Sequence, residues 1–470
     1  MSERHAGVAV IGAGVTGLAA AYELVRSGAP GPVTVLEAAE RSGGKIRGEQ
    51  LAGRRVEAGP DAFLARVPDA IELCRELGLA DELVSPAAGE AWVWSGSRLR
   101  RLPGELVLGV PSELSAVARS GILSPAGVAR AAADLVLPRS RWRGDVSVGT
   151  VVGRRFGRET VERLVDPLLG GIHAGNANLL SLDATAAQLA VVARRDRSLL
   201  LGLRRMRRTM PAGGGPVFLA PRTGLGQLVE RLEEEVGKGA DLRTSCPVAK
   251  LVDTGAAGGA RYRLETPAGP LDADAVILAV PAGPAATLLE PLSPAAAAEL
   301  RSIRHATVAI SLLAYPAASF PHNLPGSGVL VPRREGRLMT ACSCGSAKWP
   351  HWAEPGVAVL RVSAGRVDDT RVTTMDDDEV LARLRAELRE LLGVTAAPLD
   401  QKVARWPDAF PQYEVGHQAR IERVEAALAT DAPGVAVAGG AYRGIGIPAC
   451  IAQGRAAARR LRDAVPNATP

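Results

Sequence analysis

The stretch Val8–Gln50 constrains this chain more than any other. An apolar run, Val8-Ala9-Val10-Ile11, leads into Gly12-Ala13-Gly14-Val15-Thr16-Gly17. A helical segment follows, Leu18 to Arg26, and a second apolar run, Val33-Thr34-Val35-Leu36, ends in Glu37. Strand, glycine turn, helix, strand and acid in that order predict a βαβ unit carrying a dinucleotide fingerprint. Gly12 permits the tight turn, Gly14 lets backbone approach a pyrophosphate, and Gly17 lets helix and strand pack closely. The helix N-terminus offers free N–H groups and a partial positive charge to the phosphates. Glu37, with Ala38 beside it, falls where a carboxylate hydrogen-bonds ribose hydroxyls, which disfavours a cofactor with a 2′-phosphate. A second basic loop follows at once, with Arg41, Gly44 and Lys45 placed to track the phosphates past the ribose.

Downstream, Gly59-Pro60-Asp61-Ala62 imposes a turn. Trp92 to Leu102 reads as a β-hairpin. Residues 111–165 read as short helices punctuated by prolines, then a glycine-dense loop from Asp166 to Asn176 and a long helical pattern from Asp183 to Met210. Val276 to Val280 has the continuous apolar character of a strand buried on both faces. Strands at Ala306–Leu313 and Val357–Val362 and a helix at Asp377–Leu392 suggest a second, mixed sheet. Gly434 to Gly440 and a helix from Ile451 to Val465 return to the first domain. The expected class is α/β, α+β overall. It comprises a Rossmann-like cofactor domain in three pieces (1–90, 220–285, 405–470), a mixed-sheet substrate domain (91–110, 286–404) and a helical insertion (111–219).

Composition narrows the function classes. At 470 residues with 47% hydrophobic content, the chain can bury a large core. Its net charge of +6 is modest, and no Lys/Arg block is interleaved with aromatics, which argues against nucleic-acid binding. The five cysteines are scattered and no histidines stand at metal-ligand spacing, so neither a disulfide framework nor a metal site is expected, and reduced thiols fit a cytoplasmic protein. A strand begins within ten residues of the start and no apolar run reaches the length of a spanning helix. The expectation is no signal peptide and no transmembrane segment, with room for peripheral membrane contact.

The loop Glu37 to Lys45 resembles the FAD-binding start of the flavoprotein oxidase superfamily that holds amine oxidases, phytoene desaturases and porphyrinogen oxidases. Later segments sharpen this to the porphyrinogen oxidases of haem biosynthesis. Ala404-Arg405-Trp406-Pro407 with Pro411-Gln412-Tyr413-Glu414-Val415-Gly416-His417 is similar to that family's Trp…Pro-Gln-Tyr…Gly-His segment. Ala441-Tyr442-Arg443-Gly444-Ile445-Gly446-Ile447-Pro448-Ala449-Cys450-Ile451 resembles its C-terminal flavin loop, and Gly171-Ile172-His173-Ala174-Gly175-Asn176 its substrate loop, with His173 in place of Tyr or Phe.

The resemblance implies FAD held by Gly12–Gly17, Glu37 and Ala38, with Lys45 and Gly59–Ala62 along the flavin. Val248, expected on a strand, would meet the adenine through its backbone. Trp406 would wall the flavin, and Ile445-Gly446-Ile447 would offer N–H groups to its N1/O2 side. Gly171, His173 and Arg66 are candidate substrate residues, and Arg204, Arg205, Arg207 and Arg208 candidate cations for propionates. His173 and His417 read as hydrogen-bond partners rather than bases, so no side chain is expected to be catalytic and the flavin carries the chemistry. The implied reaction is a six-electron oxidation of a porphyrinogen with molecular oxygen as acceptor and peroxide as by-product, its porphyrin passing to a downstream chelatase. The Ala-, Gly- and Arg-biased composition of a GC-rich genome and the lack of an anchor resemble the soluble porphyrinogen oxidases of Gram-positive, especially actinobacterial, lineages. That likeness implies coproporphyrinogen III over protoporphyrinogen IX, and the Gly-Ile-Gly-Ile-Pro-Ala-Cys-Ile loop points the same way. An amine oxidase or carotenoid desaturase would not predict the Pro-Gln-Tyr…Gly-His segment. A non-catalytic FAD protein carrying tetrapyrrole is a third reading.

Overall fold

A computed structural model describes residues 7–29, 31–209, 215–255, 260–322, 324 and 326–464. Its first sheet is built from distant parts of the chain. β1 (Val8–Ile11), α1 (Val15–Arg26) and β2 (Val33–Leu36) form the βαβ unit, and β3 (Ala240–Arg243), β4 (Ala275–Leu278) and β5 (Val435–Val437) complete the sheet. The strand order is β3-β2-β1-β4-β5, and every pairing is parallel. Val8 and Val10 point into one core with α1, while Ala9 and Ile11 point into another with Val276 and Leu278. Burial on both faces is what a parallel sheet requires, and it explains the unbroken apolar runs of its strands. A long helix, α2 (Ile447–Ala464), packs on α1 through small residues, and a Cβ on Gly454 would overlap the Thr16 carbonyl. It starts at Ile447 rather than Ile451, and Val465 lies outside the described residues.

The second sheet has seven strands in the order 400–411, 305–316, 357–364, 339–344, 328–330, 91–94, 99–101. One pairing, 328–330 with 91–94, is parallel, and the rest are antiparallel. The helix Asp377–Leu392 covers one face and starts with a capping box between Asp376 and Glu379. The strand Asp400–Pro411 belongs wholly to this sheet, so it runs through the expected domain boundary at 404/405.

Two sequence expectations in the helical region need correction. The pattern Asp183–Met210 is not one helix. It breaks into Leu182–Thr185, Ala187–Arg195 and Leu199–Thr209, and Met210 lies outside the described residues. Periodicity missed a buried ion pair: Asp134, bound to Arg155, also accepts the Ser198 hydroxyl at 2.7 Å and the Leu200 N–H at 2.9 Å. Those bonds start a new helix at Leu199. Conversely, the glycine-dense stretch is not a loop, because Asp166–His173 is helical. Gly170 lies against the Gly175 carbonyl, and the helix ends where Ala174 turns left-handed at φ 48°.

Candidate active site

The glycine turn has the geometry that a dinucleotide needs. Gly12 adopts φ +100°, a conformation that L side chains rarely take. On Gly17 a Cβ would overlap the Gly12 carbonyl oxygen, so that glycine sets the closeness of α1 to β1. A Cβ on Gly14 meets no atom within 4 Å. Gly14 is also the N-cap of α1 and supplies no side-chain cap, so the first-turn amides stay available. The second loop folds onto this turn: Gly43 donates to the Ala13 carbonyl at 2.8 Å and bridges Gly14, with Gly44 beside it.

Glu37 and Arg41 are more occupied than the sequence suggests. One Glu37 oxygen accepts the Ala13 N–H at 2.7 Å and the other the Ala39 N–H at 2.9 Å, so the acid ties the end of β2 to the glycine turn and orients Ala38. Arg41 donates to the carbonyls of Ser42, Gly44 and Ile46, which makes it a clamp for its own loop. Lys45 has no hydrogen-bond or ion-pair partner among the described residues. It is reached by solvent, yet it lies among enough protein to push its ammonium pKa down.

The segments expected along the flavin converge on Gly59. A Cβ there would overlap the Lys45 carbonyl oxygen and sit 3.6 Å from the Trp406 ring. Trp406 is half-buried, donates Nε1–H to the Ala58 carbonyl at 2.9 Å, and carries the Arg47 guanidinium 4.9 Å from a ring centroid. Next to it the strand bulges: Val308 pairs Trp406 but Ala306 pairs Phe410, and Asp408 within the bulge takes φ 45°. Ala174, Ala306 and Val308 pack there with Val367, Phe410 and Trp406 as an apolar wall.

From the other side, the amides of Ile445, Gly446 and Ile447 open α2 and donate to no partner among the described residues. The Pro-Gln-Tyr…Gly-His segment holds this loop. Tyr413 donates its hydroxyl to the Gly440 carbonyl at 2.8 Å and accepts the Gly444 N–H at 2.7 Å. His417 stacks on Tyr413 with ring centroids 3.9 Å apart and donates Nε2–H to the Tyr442 carbonyl at 2.8 Å. Burial pushes both His417 and His173 down to about 4, so each is neutral near pH 7.

Some expected residues stand elsewhere. Val248 is not on a strand, because the chain leaves the sheet after Arg243 and runs extended past β2, where Cys246 donates to the Glu37 carbonyl at 2.8 Å. Its own N–H and C=O make no backbone bond among the described residues, so the expected adenine contact stays open to it. Asp61 commits its carboxylate to Lys348, Trp349 and Arg361. His173 is buried beneath Tyr413, while Gly171 is exposed beside Leu330. Arg66 is exposed and unpaired among the described residues, as is Arg208. Arg204 pairs with Glu113, Arg205 with Asp196, and Arg207 donates to the Ser112 hydroxyl at 3.1 Å. Sequence reasoning passed over Lys348, Trp349 and Arg361, and its one local signal there was a rare lysine beside a tryptophan.

The sequence profile of the flavin-containing amine oxidoreductases matches residues 15–462. The chain belongs to that family. The coproporphyrinogen III oxidase of Bacillus subtilis is 36% identical to it over 97% of this chain and 98% of the relative. That of Mycobacterium tuberculosis is 37% identical over 95% of each. A crystal structure of a candidate protoporphyrinogen oxidase from Exiguobacterium superposes with a TM-score of 0.88 at 32% identity, covering 99% of this chain and 100% of the other. The cofactor is FAD. Its fit rests on features of this chain: the side-chain-free approach at Gly14 and, among the described residues, the undonated amides at Ile445–Ile447, the unpaired Lys45 and the buried Ser42 hydroxyl without a partner. Among the described residues no helix is long and apolar enough to cross a membrane.

Proposed function

We propose that this family member is a coproporphyrinogen III oxidase, forming coproporphyrin III by six-electron oxidation. The observation that carries the reading is the near-full-length likeness to the two bacterial coproporphyrinogen III oxidases. Bound FAD would supply a two-electron oxidant, so that three turnovers aromatise one ring system. The chain's own contribution is binding and shape. Gly12–Gly17, Glu37 and Lys45 hold the dinucleotide, and the Trp406 indole and the Gly59 turn give the ring a rigid wall. The Ala174–Val308–Val367–Phe410 wall beside Trp406 suits a flat, apolar tetrapyrrole and excludes water from the reacting face.

Neither His173 nor His417 is placed to act as a base, and burial makes each imidazole a weak one, in keeping with an oxidation driven by positioning rather than by a side-chain proton acceptor. Molecular oxygen is the electron acceptor in this reading, with peroxide as by-product. The protein works in the cytoplasm, and the porphyrin passes to a metal-inserting enzyme. Carboxylates resist burial without partners, so the propionates should lie at the rim. Arg66 and Arg208 are the unpaired cations proposed to meet them there, whereas Arg204 and Arg205 already hold acids.

Aerobic porphyrin fluorescence, followed with coproporphyrinogen III and with protoporphyrinogen IX across ionic strength, tests this. Coproporphyrinogen should be oxidised faster than by air alone, with a kcat/KM that salt lowers more steeply than for the two-propionate substrate. A preference for protoporphyrinogen at every ionic strength would transfer the assignment to that substrate, and no acceleration of either would leave a carrier role.

A further inference from the structure

Behind the Gly59 turn lies a cluster whose two cations no cofactor motif includes. Asp61 Oδ2 accepts Lys348 Nζ at 2.8 Å and Trp349 Nε1 at 3.0 Å, and stands 3.1 Å from an Arg361 guanidinium nitrogen. The same Arg361 donates a second nitrogen to the Gly59 carbonyl. Burial would raise the Asp61 carboxyl, but Lys348 and Arg361 outweigh it and hold the group well below the usual carboxylate range. Within the cluster one anion meets two cations; Glu57 also faces Arg361, but burial pushes its carboxyl up and favours the neutral form, so the balance leans positive. Trp349 and Trp352 seal it, both essentially fully buried, with Lys348 5.3 Å from a Trp349 centroid and Arg361 5.7 Å from a Trp352 centroid. Lys348 and Trp349 follow one strand of the mixed sheet, and Arg361 lies on the next, whereas Gly59 and Asp61 belong to the N-terminal part. A stability role alone would not need two cations aimed at the one turn that packs against both Lys45 and Trp406.

We propose that Arg361 and Lys348 are positioning residues for the flavin: through Asp61 and the Gly59 carbonyl they fix the turn that backs the ring, and their net positive charge makes bound FAD easier to reduce. This rests on the reading of Gly59–Ala62 as the flavin-facing turn. A cation near a group that gains electrons stabilises the reduced form, and the low dielectric behind the turn leaves that effect poorly screened. The mixed sheet, which also supplies the apolar wall, would then set both the position and the potential of the electron acceptor.

The test is the midpoint potential of bound FAD, measured by anaerobic chemical reduction without any porphyrinogen, so that its outcome is independent of the substrate assignment. Arg361→Gln should lower the potential and weaken FAD binding about tenfold or more, the scale of one lost charge-assisted hydrogen bond. Arg361→Lys should recover the potential but not the full affinity, because an ammonium cannot hold Gly59 and Asp61 together. If Arg361→Gln does not fold, Lys348→Met carries the test, since that side chain lies nearer the surface and its loss removes one charge and one bond to Asp61 while leaving the Arg361 bond to the Gly59 carbonyl in place. A wild-type potential in Arg361→Gln, or in Lys348→Met where that stands in for it, with only a lower melting temperature, would reduce the cluster to a structural role and overturn the proposal.

Discussion

Substituting Gly14 separates what the cofactor asks of the loop from what the fold asks. Gly14 has φ −68° and ψ 174°, open to any L residue, and an added Cβ meets no protein atom within 4 Å. Gly17 is the opposite case. A Cβ there overlaps the Gly12 carbonyl oxygen and lies 3.0 Å from its carbon and 3.2 Å from Ala279 Cβ. In the apoprotein, Gly14→Ala reduces unfolded-chain entropy, worth about 0.4–1 kcal/mol. The poorer N-cap that alanine makes offsets this by roughly the same amount. The net change in apoprotein stability should be close to zero. The same methyl occupies the path by which the pyrophosphate approaches, and overpacking costs about 1–3 kcal/mol, roughly a 5- to 150-fold loss of FAD affinity. Gly14→Val, with more atoms in that path, should purify colourless. Gly17→Ala has only backbone to push against, so its apoprotein should lose several kcal/mol before any cofactor is added. Thermal unfolding of both apoproteins, with FAD titration followed by flavin fluorescence, reads the two effects separately. Wild-type FAD affinity in Gly14→Ala, or an apoprotein melting as low as that of Gly17→Ala, would refute the reasoning.

Glu37→Ala should weaken FAD by about 1–3 kcal/mol, through the lost charged acceptor and through release of the Ala13 N–H it holds at 2.7 Å. Glu37→Gln, which can keep one carbonyl on Ala13, should lose less, and equal losses by calorimetric titration would mean the charge alone matters. Acid should destabilise the fold through its buried histidines. His173 and His417 are pushed down to about 4, so between 6.5 and 4 the unfolded chain takes up protons that the folded one refuses. Their contribution is complete above about 6.5 and falls away with acidification, by about 2 kcal/mol for each at pH 5. Urea midpoints at pH 7 and 5 should therefore differ less in His173→Phe than in the parent, and identical pH slopes would count against a neutral, buried His173.

Where the constraint was local, the sequence was readable. The βαβ unit was visible because its turn, its close packing and its helix start all lie within Val8–Leu36, and the structure has Gly12 at the tight turn and Gly17 packed against it. The helix Asp377–Leu392 was equally plain, since its capping box and αL Gly393 mark both ends. Errors arose where a distant residue decided the local conformation. Asp134 starts a helix at Leu199 from far along the chain, and no periodicity in Asp183–Met210 could announce it. Asp61 sits in a turn that was correctly noticed, yet its carboxylate belongs to Lys348 and Arg361, residues that only the fold brings near. The resemblance pointed to Trp406 and to the Tyr413 and His417 segment, but not to their work. Trp406 anchors Ala58, and Tyr413 and His417 support the 440–444 loop by bonding its backbone.

That division has a consequence for substrate choice. The groups that would meet FAD are largely backbone: amides at Ile445–Ile447, the Gly14 turn, and the Gly59 turn held by Arg361. Backbone geometry changes little when side chains are exchanged, so such a site can serve amine, carotenoid or tetrapyrrole oxidation without rebuilding. Discrimination then falls to side chains on the mixed sheet and the helical insertion, where Val308, Val367 and Phe410 shape the wall and Gly171 lies exposed. Three segments supply that wall, the bulged strand pair at Ala306–Val308, the helix end at Ala174, and the loop after the strand 357–364, whose Val367 N–H donates to the Ala174 carbonyl. Widening the slot by a side-chain change on one element therefore need not disturb the cofactor, whereas breaking the Val367–Ala174 link would shift the wall against Trp406 and through it the flavin. Specificity and redox function are thus separable at the side chains of this wall and inseparable at its backbone.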